Sequence, residues 1–176
     1  MLRADGYEAL GVDPKAPEEA WYQRVEFERA DLPQALDAVV ASTSLHHVAD
    51  PADVIDRIAG AVRPGGVVVV VEWASERFDE PTARWCFERL GPEEGWLHEL
   101  RDERDAWFER EGLHPGDLLV RLLDKRLERR LLAYGPYFFP DLVDTSEVDE
   151  QAAIDAGQIQ ASRIDYVGTR PRSAHA

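Results

Sequence analysis

At 176 residues, 44% of them hydrophobic, the chain is long enough for one domain with a sizeable core, and no shift in composition marks a second. A formal net charge of −15 with no compensating Lys/Arg stripe repels nucleic-acid backbones and argues against DNA or RNA as substrate. The longest apolar run, Val67 to Val71, is too short to span a bilayer, and a lone cysteine, Cys86, rules out an intrachain disulfide and fits a reducing cytoplasm.

Asp5-Gly6 reads as the end of a helix with Gly6 in a left-handed position, followed by a strand from Tyr7 to Val12 that stops at Asp13-Pro14. Ala16 to Tyr22 has helical character. Val25 to Arg29 alternates apolar and charged residues as a short strand does, and Asp31-Leu32-Pro33 closes it. Leu36 to Ala41 is apolar almost throughout, which predicts a strand covered on both faces.

From Asp50 the period changes. Pro51 suits a first helical position behind an Asp50 N-cap, and Val54, Ile55, Ile58, Ala59 and Val62 recur at helical spacing. Pro64-Gly65-Gly66 predicts a tight turn into a buried strand of five valines. Strand, crossover helix and strand within about forty residues make a parallel unit with a right-handed crossover. Ser42-Thr43 and Glu72-Trp73 then fall at the carboxyl ends of the two strands, where open α/β sheets hold ligands.

Beyond Trp73 the chain is charged and helical, with helices expected at Pro81–Leu90, Leu97–Arg110 and Asp117–Lys125, an insertion of about residues 77–125. Strands are expected at Leu127–Tyr134 and Ala161–Arg170, separated by an acidic helical piece from Ser146 to Gln158. The domain is expected to run to residue 170, with a disordered tail over 171–176.

Four segments carry a family resemblance: GYEALGVDP ending at Asp13-Pro14, ADLP around Asp31, ALDAVVASTSLHHVADP, and VRPGGVVVVVEW. Together they resemble the class I S-adenosylmethionine-dependent methyltransferases of small molecules. The resemblance implies a three-layer, Rossmann-like α/β fold whose mostly parallel sheet ends in an antiparallel strand. ERRLLAYGPYFFPDL and ASRIDYVGTR look like that fold's sixth and seventh strands. It further implies S-adenosylmethionine as cofactor. Asp13 would accept from the ribose hydroxyls, Asp31 would hold the adenine amino group with the Leu32 backbone beside it, and Ser42 and Thr43 would lie under the methionine part. His46 and His47 would face the methyl group or substrate, and Trp73 the substrate pocket.

One departure stands out. The acidic-x-Gly-x-Gly loop of the family has no counterpart before Gly6, so the sequence reads as lacking the first strand and glycine loop, with roughly forty residues expected upstream in a complete version. That strand would be central in the sheet, and its loss predicts weak or absent cofactor binding.

Each residue also has a plainer reading. Asp13 alone is a common turn opener before proline, and Asp31 a cap or turn residue. His46 and His47 are adjacent, point apart and lack metal-ligand spacing, so each is a hydrogen-bonded structural histidine or a general base. Trp73 and the later aromatics are core residues or the wall of an apolar substrate pocket. Three function classes follow: methyl transfer to a small molecule by a protein free of nucleic acid, membrane and metal; a non-catalytic remnant or interaction protein; and, fitting less well, an NAD-dependent oxidoreductase.

Overall fold

Valine branching at Cβ favours extended backbone, and the run Val67–Val71 forms the centre of β4, Val62–Trp73, in a computed structural model that describes residues 3–172. The expected tail lies, from Ser173 on, outside the described residues. The chain divides into two compact units, one up to Gln34 and one from Ala35 on.

In the first unit, β1 (Gly11–Val12) and β2 (Tyr22–Gln23) pair in parallel, Gly11 opposite Tyr22 and Val12 opposite Gln23. The Tyr7–Val12 strand is thus shorter than expected. The helix expected over Ala16–Tyr22 is a chain of turns, with Ala16 N–H donating to Asp13 O, Glu19 to Pro17 O and Tyr22 to Glu19 O. Pro14 and Pro17 remove donors from a run already too short to nucleate a helix. Val25–Arg29 holds a 3₁₀ turn, Phe27–Arg29, and no strand, because Tyr22–Gln23 takes the place beside β1. Gly6 does take the left-handed conformation, φ 86°.

In the second unit, β3 (Leu36–Ser42), β4, β5 (Glu128–Gly135) and β6 (Arg163–Thr169) form one sheet in the order β3-β4-β6-β5. β3 and β4 are parallel, and β6 lies antiparallel between β4 and β5, so β6 alone runs against the other three. Helix α1, Pro51–Ala61, is the expected crossover; the Asp50 side chain accepts from Ala52 and Asp53 N–H and caps it. Val54, Ile55 and Ile58 bury its apolar stripe. Together with α5 (Gly116–Asp124) it covers the sheet face that carries Val68, Val70, Glu72, Ile164 and Tyr166, all at most 1% exposed.

β3 differs from its expected double burial: Ala38 and Val40 are exposed, Val40 at 59%, and β3 is an edge strand. The turn at Pro64-Gly65-Gly66 is a bulge within β4. Leu36 pairs with Val62 but Ala38 with Val67, so the three residues loop out, with Gly65 at φ 79° and paired through its N–H to Arg170 O. A Cβ on Gly66 would stand 2.5 Å from Val62 Cγ1 and 2.9 Å from Asp37 O. Gly66→Ala is therefore expected to cost about 2 kcal/mol in urea unfolding; unchanged stability would show that the bulge yields.

The helical region is α2 (Glu80–Phe87), α3 (Trp96–Asp102), α4 (Arg104–Glu111) and α5. The single helix expected over Leu97–Arg110 breaks at Glu103, which adopts φ −137° and ψ 46°. Helix α6, Glu147–Asp155, starts with a full capping box between Ser146 and Asp149. Among the described residues no helix is long and apolar enough to cross a membrane.

Candidate functional site

In the first unit the two acidic candidates stand at the carboxyl ends of paired strands. Asp13 follows β1, donates its N–H to Gln23 O, and accepts the Lys15 N–H on Oδ1 at 2.6 Å. Asp31 is tied to the end of β2 by Gln23, whose side-chain amide accepts from Asp31 N–H at 2.9 Å and donates to Asp31 O at 2.7 Å. Both aspartates are exposed, and Leu32 is half-buried. Sequence reasoning passed over Gln23, a lone polar residue with no motif around it.

In the second unit the site is built on the loop after β3. Ser42 ends that strand, and Thr43 sits at φ 46°, a conformation costing a β-branched residue on the order of 1–3 kcal/mol. Its N–H donates to Val71 O at 2.8 Å. Beyond it, the Ser44 and Leu45 N–H groups both donate to Oε1 of Glu72, at 2.7 and 2.6 Å. Oε2 of the same carboxylate meets Nδ1 of His46.

Glu72 is fully buried and His46 is 5% exposed. A buried carboxylate survives when donors occupy its lone pairs, and two amides and an imidazole do so here. From the opposite side, His114, just ahead of α5, donates its backbone N–H to His46 O at 3.0 Å and sets Nε2 2.8 Å from Val48 O. The two adjacent histidines separate in role: His46 is buried and paired, and His47 is exposed with its ring 4.2 Å from that of His46.

Trp73, next to Glu72, lies on the opposite sheet face and is 2% exposed. Tyr137 stacks on it at 5.8 Å and 6° and Phe108 at 6.1 Å and 25°, while Trp96, Trp107, Phe78 and Phe138 meet it edge-on. Its Nε1 has no hydrogen-bond partner among the described residues. Burial, and then the negative charges of Glu72 and Asp141, push the Tyr137 hydroxyl up to about 12, so it stays protonated through neutral pH.

The loop bearing Tyr137 is held by a second buried carboxylate. Glu150 accepts the N–H groups of Tyr137, Phe138 and Phe139 at 2.7, 2.9 and 2.7 Å. Cys86 is buried, and burial, then the charge of Glu150, raises its thiol far from thiolate chemistry. The structure thus places Ser42 and Thr43 at the start of the loop whose Ser44, Leu45 and His46 are held by Glu72, with Trp73 on the opposite sheet face. Asp13, Asp31 and Leu32 belong to the first unit. Glu72 and His114 were missed as partners, since their contacts span 26 residues or more.

The methyltransferase domain family matches residues 1–115. Uncharacterized methyltransferases of Mycobacterium tuberculosis and Mycobacterium bovis are 43% identical over 47 residues, which is 26% of this chain and 24% of each of those proteins. The matched segment therefore spans about a quarter of the curated relatives.

Among solved structures, an S-adenosylmethionine-dependent methyltransferase from Mesorhizobium loti aligns over 96% of this chain and 83% of its own, with TM-score 0.58 and 15% identity. A Listeria monocytogenes protein assigned to the same class aligns over 97% and 84%, with TM-score 0.56 and 15% identity. These likenesses bear out the Rossmann-like α/β fold with its one antiparallel strand.

Proposed function

Because this chain belongs to the methyltransferase domain family, whose cofactor is S-adenosylmethionine, we propose that it serves methyl transfer to a small molecule, with His46 taking the acceptor's proton. The observation that carries the reading is the loop from Thr43 to His46, strained at Thr43 and clamped by the buried Glu72 at the carboxyl end of the parallel pair.

By the resemblance, each candidate residue would take one of the cofactor's groups. Asp13 spends Oδ1 on Lys15 N–H and keeps Oδ2 for the ribose hydroxyls. Asp31, its backbone fixed by Gln23, offers a carboxylate to the adenine amino group, and Leu32 stands beside it. In the second unit, the exposed residues Ser42, Thr43 and Ser44 would lie along the methionine part. When bound, the cofactor supplies a methyl group on a sulfonium, open to direct displacement. The chain's task is then alignment, exclusion of water and removal of one proton.

If the carboxylate of Glu72 accepts a hydrogen bond from Nδ1–H, the lone pair of His46 falls on Nε2, the atom that would receive the proton. His47, exposed beside it, is the second candidate. Trp73 and its ring partners would wall an acceptor with an apolar body, through the half-buried Trp96, Phe108 and Tyr137. The acidic surface disfavours a nucleic-acid acceptor, and a cytoplasmic location accords with the lone buried cysteine.

Calorimetric titration with S-adenosylhomocysteine and with NAD tests the reading. Saturable but weak binding of S-adenosylhomocysteine alone is expected, weakened roughly tenfold or more again in Asp13→Ala by loss of charged hydrogen bonds. NAD binding in its place would move the chain to the oxidoreductases, and binding of neither would favour a non-catalytic relative.

A further inference from the structure

We infer that Glu72 is a positioning residue with two separable duties, one oxygen fixing the loop after β3 and the other selecting the tautomer of His46. This rests on the reading of His46 as the proton acceptor.

The split follows from the donor arithmetic of the carboxylate. Oε1 takes two backbone N–H groups, from Ser44 and Leu45, and Oε2 faces the imidazole Nδ1 alone. Backbone amides cannot reverse polarity, so Oε1 must be an acceptor in any folded state that keeps this loop. Imidazole can reverse: a neutral ring presents N–H or a lone pair at Nδ1 according to what it meets. A carboxylate oxygen demands Nδ1–H, which leaves the lone pair on Nε2. Glu72 thus sets the side of the ring that is basic.

Both partners are buried, so water does not compete for this choice; the ring lies 4.2 Å from that of His47, and the His114 amide holds the His46 backbone through its carbonyl. The ring is oriented by Glu72 from β4, while the His46 backbone is fixed from the segment ahead of α5 by His114. A purely structural Glu72 would need only to satisfy the loop amides, for which one oxygen suffices. The second oxygen, spent on a titratable ring in a site at the carboxyl end of the sheet, distinguishes the positioning role.

Glu72→Gln separates the duties. The side-chain oxygen of glutamine is expected to stay with the Ser44 and Leu45 amides, because turning it over would set an NH2 group against two donors in return for only one satisfied contact. The NH2 group then faces His46, which must offer a lone pair at Nδ1 and carry its proton on Nε2. The variant keeps the loop and reverses the ring.

Long-range proton–nitrogen correlation spectra of the intact chain with labelled histidine, recorded where the ring is neutral, read the tautomer directly. Nδ1–H is expected in the wild type and Nε2–H in Glu72→Gln, with S-adenosylhomocysteine affinity within threefold of wild type. Glu72→Ala is expected to lose affinity at least tenfold as the loop amides lose their acceptor.

An Nε2–H tautomer in the wild type overturns the inference, as does an unchanged tautomer in a folded Glu72→Gln. If that variant does not fold, the wild-type tautomer still decides. Absence of S-adenosylhomocysteine binding in the wild type, with the expected tautomers in place, counts against the cofactor reading and leaves the Glu72 assignment standing.

Discussion

Glu150→Ala is expected to destabilise the fold by about 4 kcal/mol, because three backbone N–H groups in succession, one buried and two part-buried, lose the acceptor they have among the described residues, each worth on the order of 1–3 kcal/mol when orphaned. The side chain is fully buried and reaches Tyr137, Phe138 and Phe139 from helix α6. Glu150→Gln serves as the comparison. Its oxygen can keep the two donors on Oε2, Phe138 and Phe139, while its NH2 group meets the Tyr137 N–H, so it should lose about half as much. Urea unfolding followed by far-UV circular dichroism gives both values. A loss below about 1 kcal/mol for the alanine variant would mean that water replaces the carboxylate and that the loop does not depend on it.

The same device recurs in this acidic chain. Glu72 takes the Ser44 and Leu45 amides, Glu150 takes three, and Glu76 takes Gly116 at 2.8 Å and Asp117 at 2.9 Å, where it caps the start of α5. Each glutamate fastens a loop that the backbone alone leaves with unpaired donors. In sequence Glu72 stood at the carboxyl end of a strand and Glu76 and Glu150 in charged, acidic stretches, with no amide partner indicated for any of them. Nothing in their neighbours separates a surface glutamate from one that folds inward to amides 12, 28 or 40 positions away.

Periodicity and branching made β4, α1 and their parallel pairing legible, since Val67–Val71 and the Val54-Ile55-Ile58 stripe report local geometry directly. Asp50-Pro51 gave the start of α1 for the same reason. The first unit was legible in its acidic residues but not in its elements. Two-residue strands carry no period to read, and Pro14 and Pro17 undid a helix that side-chain spacing alone allowed. At the site, the resemblance indicated the neighbourhood of Ser42 through His47. Which histidine is buried, and that a glutamate on the next strand pairs with it, depended on β-sheet register, and register is a long-range property.

Trp73→Ala is expected to cost about 4 kcal/mol, whereas Trp73→Phe should cost less than about 1.5 kcal/mol, a gap wider than ring area alone gives. Trp73 is 2% exposed, and six aromatic rings lie within 6.2 Å of its centroid, so alanine leaves a cavity whose walls, set on the segment between β4 and α2, on α3, on α4 and on the Glu150-held loop, cannot close together. Phenylalanine keeps the stack with Tyr137 and removes Nε1, a buried donor without a partner among the described residues. Eliminating that unmet group offsets part of the lost contact. Equal losses for the two variants would show that Nε1 is satisfied in solution. If the Trp73→Phe chain keeps its stability but binds an apolar aromatic probe differently from wild type, the indole N–H has a use in the pocket that outweighs the cost of leaving it unpaired.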